Sequence, residues 1–78
     1  MTLEIISAHE VTFTGEVTLV TLPGKLGSFT VLRNHAPLIS VLVKGPVHYL
    51  TPDGESHDME INGGIADVND NKISVLAY

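Results

Sequence analysis

The chain has 78 residues and 8.4 kDa, which is room for one compact domain and none for a two-domain enzyme. It contains no Cys, so disulfides, thiolate zinc sites and a Cys nucleophile are excluded and a reducing compartment is expected. Four Lys and Arg against nine Asp and Glu leave a net charge of −5, which argues against nucleic acid, and no apolar run nears the roughly 18 residues of a membrane span or resembles a signal peptide, so the expectation is a soluble, intracellular domain.

Val, Ile and Thr supply 22 of the 78 residues and Ala only four, a bias toward side chains that suit a pleated surface. Gly and Pro interrupt the chain at Gly15, Pro23-Gly24, Gly27, Pro37, Gly45-Pro46, Pro52, Gly54 and Gly63-Gly64. Few of the intervals could hold a helix of ordinary length. Strands are predicted over 3–9, 11–14, 16–22, 28–32, 38–44, 47–51, 55–61, 64–68 and 72–77, all in one uninterrupted domain over residues 1–78. Many short strands at close spacing imply an all-β sandwich or flattened barrel.

Two hairpins are specified down to register. In Thr51-Pro52-Asp53-Gly54-Glu55, Pro52 presets the first turn torsion and Gly54 accepts a positive one, which sets Thr51 opposite Glu55. Val47 then faces Met59, Tyr49 faces His57 on the inner side, and His48 faces Asp58 on the outer side. A two-residue turn at Asp70-Asn71 pairs Val68 with Ile73 and Ala66 with Val75, giving an all-apolar face.

Residues that could carry chemistry are sparse. His9, His35, His48 and His57 lack the one-face spacing of a zinc site, and the hairpin register sends His48 and His57 to opposite faces. Asp67, Asn69 and Asn71 alternate as in a calcium loop, but the sixth position is Lys72 instead of Gly and the twelfth is Tyr78 instead of Glu, so turn chemistry is the better reading. No Ser sits in a nucleophile elbow, and neither Gly24-Lys25-Leu26-Gly27 nor Gly63-Gly64 has the strand-loop-helix context of a phosphate cradle, so both read as backbone turns. Lys72, beside the Asp70-Asn71 turn, loosely fits the hairpin-tip lysine of a lipoyl or biotinyl carrier domain; a generic β-sandwich adaptor is the other alternative. The stretch 23–38, with two Gly, two Pro and the only Arg, is the most irregular and is expected to be a binding excursion.

Four blocks in order carry a resemblance. Leu3-x-Ile5-Ile6-Ser7-Ala8 with Phe13-x-Gly15-x-Val17, then Gly24-x-Leu26-Gly27, then His35-Ala36-Pro37-Leu38, then residues 62–68 with 71–77, together resemble the N-terminal β-sandwich of the epsilon subunit of F-type ATP synthases. The resemblance implies a ten-stranded sandwich and a non-catalytic rotor component that holds the gamma subunit and rests on the c-ring, peripheral to the cytoplasmic, inner face of the energy-coupling membrane. It implies a gamma-facing patch at Ser7, His35, Ala36, Pro37, Leu38 and Ser40, and a c-ring-facing loop at Gly24, Lys25, Leu26 and Gly27. No cofactor or metal is implied. The family's C-terminal helical hairpin has no counterpart here, so nucleotide binding is not expected. Arg33 stands where the family carries Pro, Ser28-Phe29-Thr30 reads as an insertion, and Lys25 replaces an acid found in some relatives.

Overall fold

A computed structural model describes residues 1–8 and 10–78; His9, placed at the end of the first strand from sequence, lies outside the described residues. Seven strands run through them: β1 (Thr2–Ser7), β2 (Glu10–Glu16), β3 (Leu19–Leu22), β4 (Phe29–Leu32), β5 (Leu38–Leu50), β6 (Ser56–Asn69) and β7 (Lys72–Ala77). The described residues hold no helix, and therefore none long and apolar enough to cross a membrane. All seven strands join one mixed sheet in the order β2-β1-β7-β6-β5-β3-β4, in which β1 and β7 are parallel.

The sheet folds back on itself into a sandwich. β2 and β5 are separated by three strands, so in a flat sheet they would lie about 19 Å apart at ordinary strand spacing. Yet the rings of Phe13 on β2 and Tyr49 on β5 sit with centroids 4.6 Å apart. Beside them the Thr18 N–H donates to the Leu50 carbonyl at 2.9 Å, where the chain crosses from β2 into β3. One layer is therefore β2, β1, β7, the C-terminal half of β6 and the N-terminal half of β5. The other is the remaining halves of β6 and β5 with β3 and β4.

Both long strands switch layers at the same place. In β5 the core-facing positions are Leu38, Ser40 and Leu42, then Val47 and Tyr49; in β6 they are Met59 and Ile61, then Ala66 and Val68. Each strand thus changes from one pleat parity to the other while their mutual register never slips, because the change occurs opposite itself at Val43 and Gly63. Gly63 (φ 141°) and Gly64 (φ 157°) supply it, and a Cβ on Gly64 would lie 2.1 Å from the Leu76 carbonyl oxygen. Gly45 packs on the Pro23 ring. This corrects the sequence reading at three places. Gly45-Pro46 and Gly63-Gly64 are interior to strands and are not turns, and Gly15 likewise lies within β2. Nine predicted segments, and the ten strands of the resemblance, become seven because these glycines bend strands without ending them.

Both predicted hairpins are present in register. Thr51 N–H donates to the Glu55 carbonyl at 2.9 Å with Gly54 at φ 86°, and Val47, His48 and Tyr49 pair with Met59, Asp58 and His57. Asp70 (φ 50°) and Asn71 (φ 56°) form the two-residue turn, its pair of positive φ values being that of type I′. Val68 and Ala66 face Ile73 and Val75, which are buried with Leu3, Ile5, Val20, Leu22, Val31, Leu42 and Val47. Among the described residues no polar or charged side chain is buried. Urea unfolding should separate two kinds of glycine. Gly64→Ala combines a disfavoured torsion with a backbone collision and should cost well over about 2 kcal/mol, whereas Gly54→Ala, with open space at its Cβ, should cost about 1 kcal/mol.

Candidate functional site

The outer face of the first layer is apolar where a free surface would be polar. Val11, Ile6, Leu76, Ile65 and Val41 stand opposite one another on β2, β1, β7, β6 and β5, a row five strands wide and about 19 Å long. Their neighbours Ile5, Val75, Ala66 and Leu42 are buried, so alternation points the row outward. Ile6 is half-buried and the other four are between 47 % and 57 % exposed. Ile39 and Val43 widen the row along β5. The next row, Thr14, Glu4, Ser74 and Asp67, is polar. Single exposed apolar residues are ordinary, but a contiguous band rimmed by polar groups marks an interaction surface.

The second layer offers a contrast. Its outer face carries Thr30, Thr21, His48 and Asp58 in register, with the two Thr hydroxyls 2.9 Å apart and His48 Nδ1 2.7 Å from Asp58 Oδ1. His57, on the inner side as predicted but exposed at the margin, stacks on Tyr49 at 5.2 Å, and burial pushes the Tyr49 phenol up.

The residues singled out from sequence surround the apolar row more than they fill it. Ser7, half-buried, ends β1 opposite Glu10. At the other end of the layer, residues 33–37 link β4 to β5, and within them His35 is half-buried while Ala36 and Pro37 are exposed. The His35 N–H donates to the Leu32 carbonyl at 3.1 Å, and its ring lies 2.8 Å from the Ala36 carbonyl. A carbonyl can only accept, so Nδ1 carries the proton and a neutral ring keeps Nε2 as an acceptor. Leu38 is half-buried and packs on the core. Ser40 is in the inward phase of β5, half-buried, with its hydroxyl donating to the Val41 carbonyl at 3.2 Å.

The loop at 24–27 is tied to the same surface. Gly24 bridges Leu42, and the Lys25 N–H donates to the Val41 carbonyl at 2.9 Å. Gly24 has no room for a Cβ, which would meet the Gly27 carbonyl at 2.6 Å, and Gly27 takes φ 126°. Lys25 is exposed and Leu26 is 102 % exposed, as a residue in open solvent would be. Between this loop and β5 lies an open groove of about 640 Å³ lined by Lys25, Leu26, Phe29, Ile39 and Val41. Val41 therefore belongs to both the row and the groove, and the row adjoins the loop at 24–27.

Other sequence candidates take quieter places. Ser28 precedes β4 and Phe29-Thr30 open it, so the apparent insertion supplies an edge strand. Lys72 is exposed, but it is the first residue of β7, paired with Asn69 and Thr2, while Asp70 and Asn71 occupy the hairpin tip where a carrier lysine would be displayed. Among the described residues no three His, Asp or Glu side chains converge as metal ligands would. The apolar row itself escaped the sequence reading. Its signal is present as strands apolar at both parities, in Ile5-Ile6, Val41-Leu42-Val43 and Val75-Leu76-Ala77.

Near residues 33–37, Glu16 is held below the usual carboxylate range, first by the Thr2 hydroxyl at 2.8 Å and next by the Met1 ammonium at 3.4 Å. Asp53 is likewise lowered, chiefly by the Thr51 hydroxyl. A carboxyl whose folded pKa lies below its unfolded value contributes stability above about pH 4, and that contribution is lost as pH falls through the folded value. The urea midpoint should therefore fall on acidification below about pH 4, and Thr2→Val should make the fall shallower.

Comparison with known proteins places the chain in a family. The family model described as "ATP synthase, Delta/Epsilon chain, beta-sandwich domain" matches residues 1–78. The "ATP synthase epsilon chain" of Stenotrophomonas maltophilia is 45 % identical over 74 residues, covering 95 % of this chain and 53 % of that protein. That of Nitratidesulfovibrio vulgaris is 39 % identical over 75 residues, covering 96 % and 55 %. The chain thus spans about half the length of the curated relatives it matches. Among solved structures, a chain of the Euglena gracilis mitochondrial ATP synthase, OSCP/F1/c-ring in rotational state 1, superposes with a TM-score of 0.90 at 25 % identity, over 96 % of this chain and 48 % of that one. A chain of the Tetrahymena thermophila mitochondrial ATP synthase central stalk and c-ring shares the fold, with a TM-score of 0.81 at 17 % identity over 99 % and 62 %.

Proposed function

This chain belongs to the ATP synthase delta/epsilon-chain β-sandwich family, and on that premise we propose that it is a non-catalytic rotor subunit of an F-type ATP synthase. It binds the gamma subunit through the outer face of its first layer and meets the polar loops of the c-ring through residues 24–27. It sits on the cytoplasmic, inner side of the coupling membrane without entering the bilayer. The observation that carries this reading is the apolar row from Val11 to Val41, since burying it is favourable at about 25 cal/mol per Å² and solvent gives no such return.

The chemistry asked of the chain is mechanical. Rotation of the ring reaches the stalk only if the part between them transmits torque without yielding. A closed two-layer core does so because cross-strand hydrogen bonds and interdigitated side chains resist shear. The apolar row supplies adhesion to gamma, with Ser7 and His35 adding directional polar contacts at its ends, while Ser40 faces inward and supports the row from behind. Lys25 and Leu26 project from the stapled loop next to the row, so a single body contacts both neighbours. The exposed ammonium of Lys25 calls for a ring loop that is neutral or acidic at the contact, because a like charge there would cost affinity.

Binding of the chain to purified gamma subunit tests the reading. Leu76→Gln, at an outward position, should lower affinity about tenfold or more while leaving the urea midpoint nearly unchanged. His35→Ala should lower it less, with a stability change of about 0.5 kcal/mol. Full affinity in Leu76→Gln would remove the apolar row from the interface.

A further inference from the structure

Residues 33–37 have no strand to define their course, yet they carry His35, Ala36 and Pro37. They are tied to a hairpin at the far end of the chain. The Asn34 N–H donates to Asn71 Oδ1 at 2.6 Å, and Asn71 Nδ2 donates to Asn34 Oδ1 at 3.0 Å. Both residues are left-handed, at φ 65° and 56°, a conformation Asn tolerates better than most residues. Asn71 is held in turn, because its carbonyl accepts from the Thr2 N–H at 2.9 Å. The turn alone does not require this residue, since glycine meets the backbone demand of its second position at least as well. What Asn71 adds is an amide that reaches 37 residues back along the chain.

We infer that the reciprocal Asn34–Asn71 amide pair is a positioning clasp that fixes residues 33–37, and His35 with them, in the geometry the gamma subunit engages. The inference rests on the interface reading given under Proposed function. Asn71 touches no partner in this scheme. It acts through Asn34 by removing alternative courses of the segment before docking, so that less ordering remains to be done on binding.

The test uses the whole 78-residue chain with purified gamma subunit. Asn71→Gly preserves the positive φ of the turn and deletes both hydrogen bonds. Three readouts are taken together: hydrogen exchange at the Asn34 and His35 amides, the urea midpoint, and affinity for gamma. The clasp predicts exchange at Asn34 accelerated about tenfold or more, a midpoint close to that of the parent, and affinity reduced about three- to tenfold. Asn34→Gly keeps the backbone N–H and deletes only the bond from Asn71 Nδ2, so it should weaken binding less than Asn71→Gly does, and the double variant no further than Asn71→Gly, which already removes both bonds. Unchanged exchange at Asn34 overturns the clasp itself. Accelerated exchange with parental affinity overturns its positioning role, as does additive loss in the double variant. A parent chain that fails to bind gamma overturns the interface reading and this inference with it, and is recognised because the loss appears without any substitution.

Discussion

The architecture depends on one constraint: β5 and β6 must change pleat parity opposite each other. If only one strand shifted, their register would slip by a residue and every side chain beyond the shift would face the wrong way. Gly63 and Gly64 meet the constraint on β6 with left-handed torsions and no side chain against the Leu76 carbonyl, and Gly45 meets it on β5 by letting Pro23 pack on its backbone. From that coordinated change follow the two layers, the contact of Phe13 with Tyr49 and the closing of the core. The outward row from Val11 to Val41 follows as well, because the pleat phase of the first layer decides that Val41 and Ile65 face out while Leu42 and Ala66 face in.

Local chemistry was legible in the sequence, and its tertiary use was not. Pro52 with Gly54, and Asp70 with Asn71, dictate their turns within four or five residues, so both hairpin registers follow from composition alone. The glycines at 45, 63 and 64 carry the same local signal as a turn, and only the neighbouring Leu76 carbonyl, Tyr78 ring and Pro23 ring reveal that they bend continuous strands. The candidate functional surface divides the same way. His35-Ala36-Pro37-Leu38 and Gly24-Lys25-Leu26-Gly27 stand out because their residue types are unusual in strands. The apolar row is assembled from ordinary residues on five strands, and it becomes visible only once register aligns them.

A core of this size supplies only about 3–5 kcal/mol, and neither a disulfide nor a cluster of metal ligands among the described residues reinforces it. Leaving a band of Val, Ile and Leu in water is therefore a concession that a partner can reverse. Any surface that covers the row binds the folded chain alone and draws the equilibrium toward it. Stability and assembly are thus expected to rise together, with the polar second face keeping the chain dispersed until that partner is met.

The parallel pairing of β1 with β7 also governs when the molecule can be completed. During translation β1 can find β2 at once, but its other neighbour, β7, follows only after the five intervening strands. The inner flank of the first strand stays unsatisfied until β7 has been made, so closure of the sandwich is a long-range event of the kind that slows folding. Folding of this small sandwich is therefore governed less by its length than by the pairing of its first strand with its seventh.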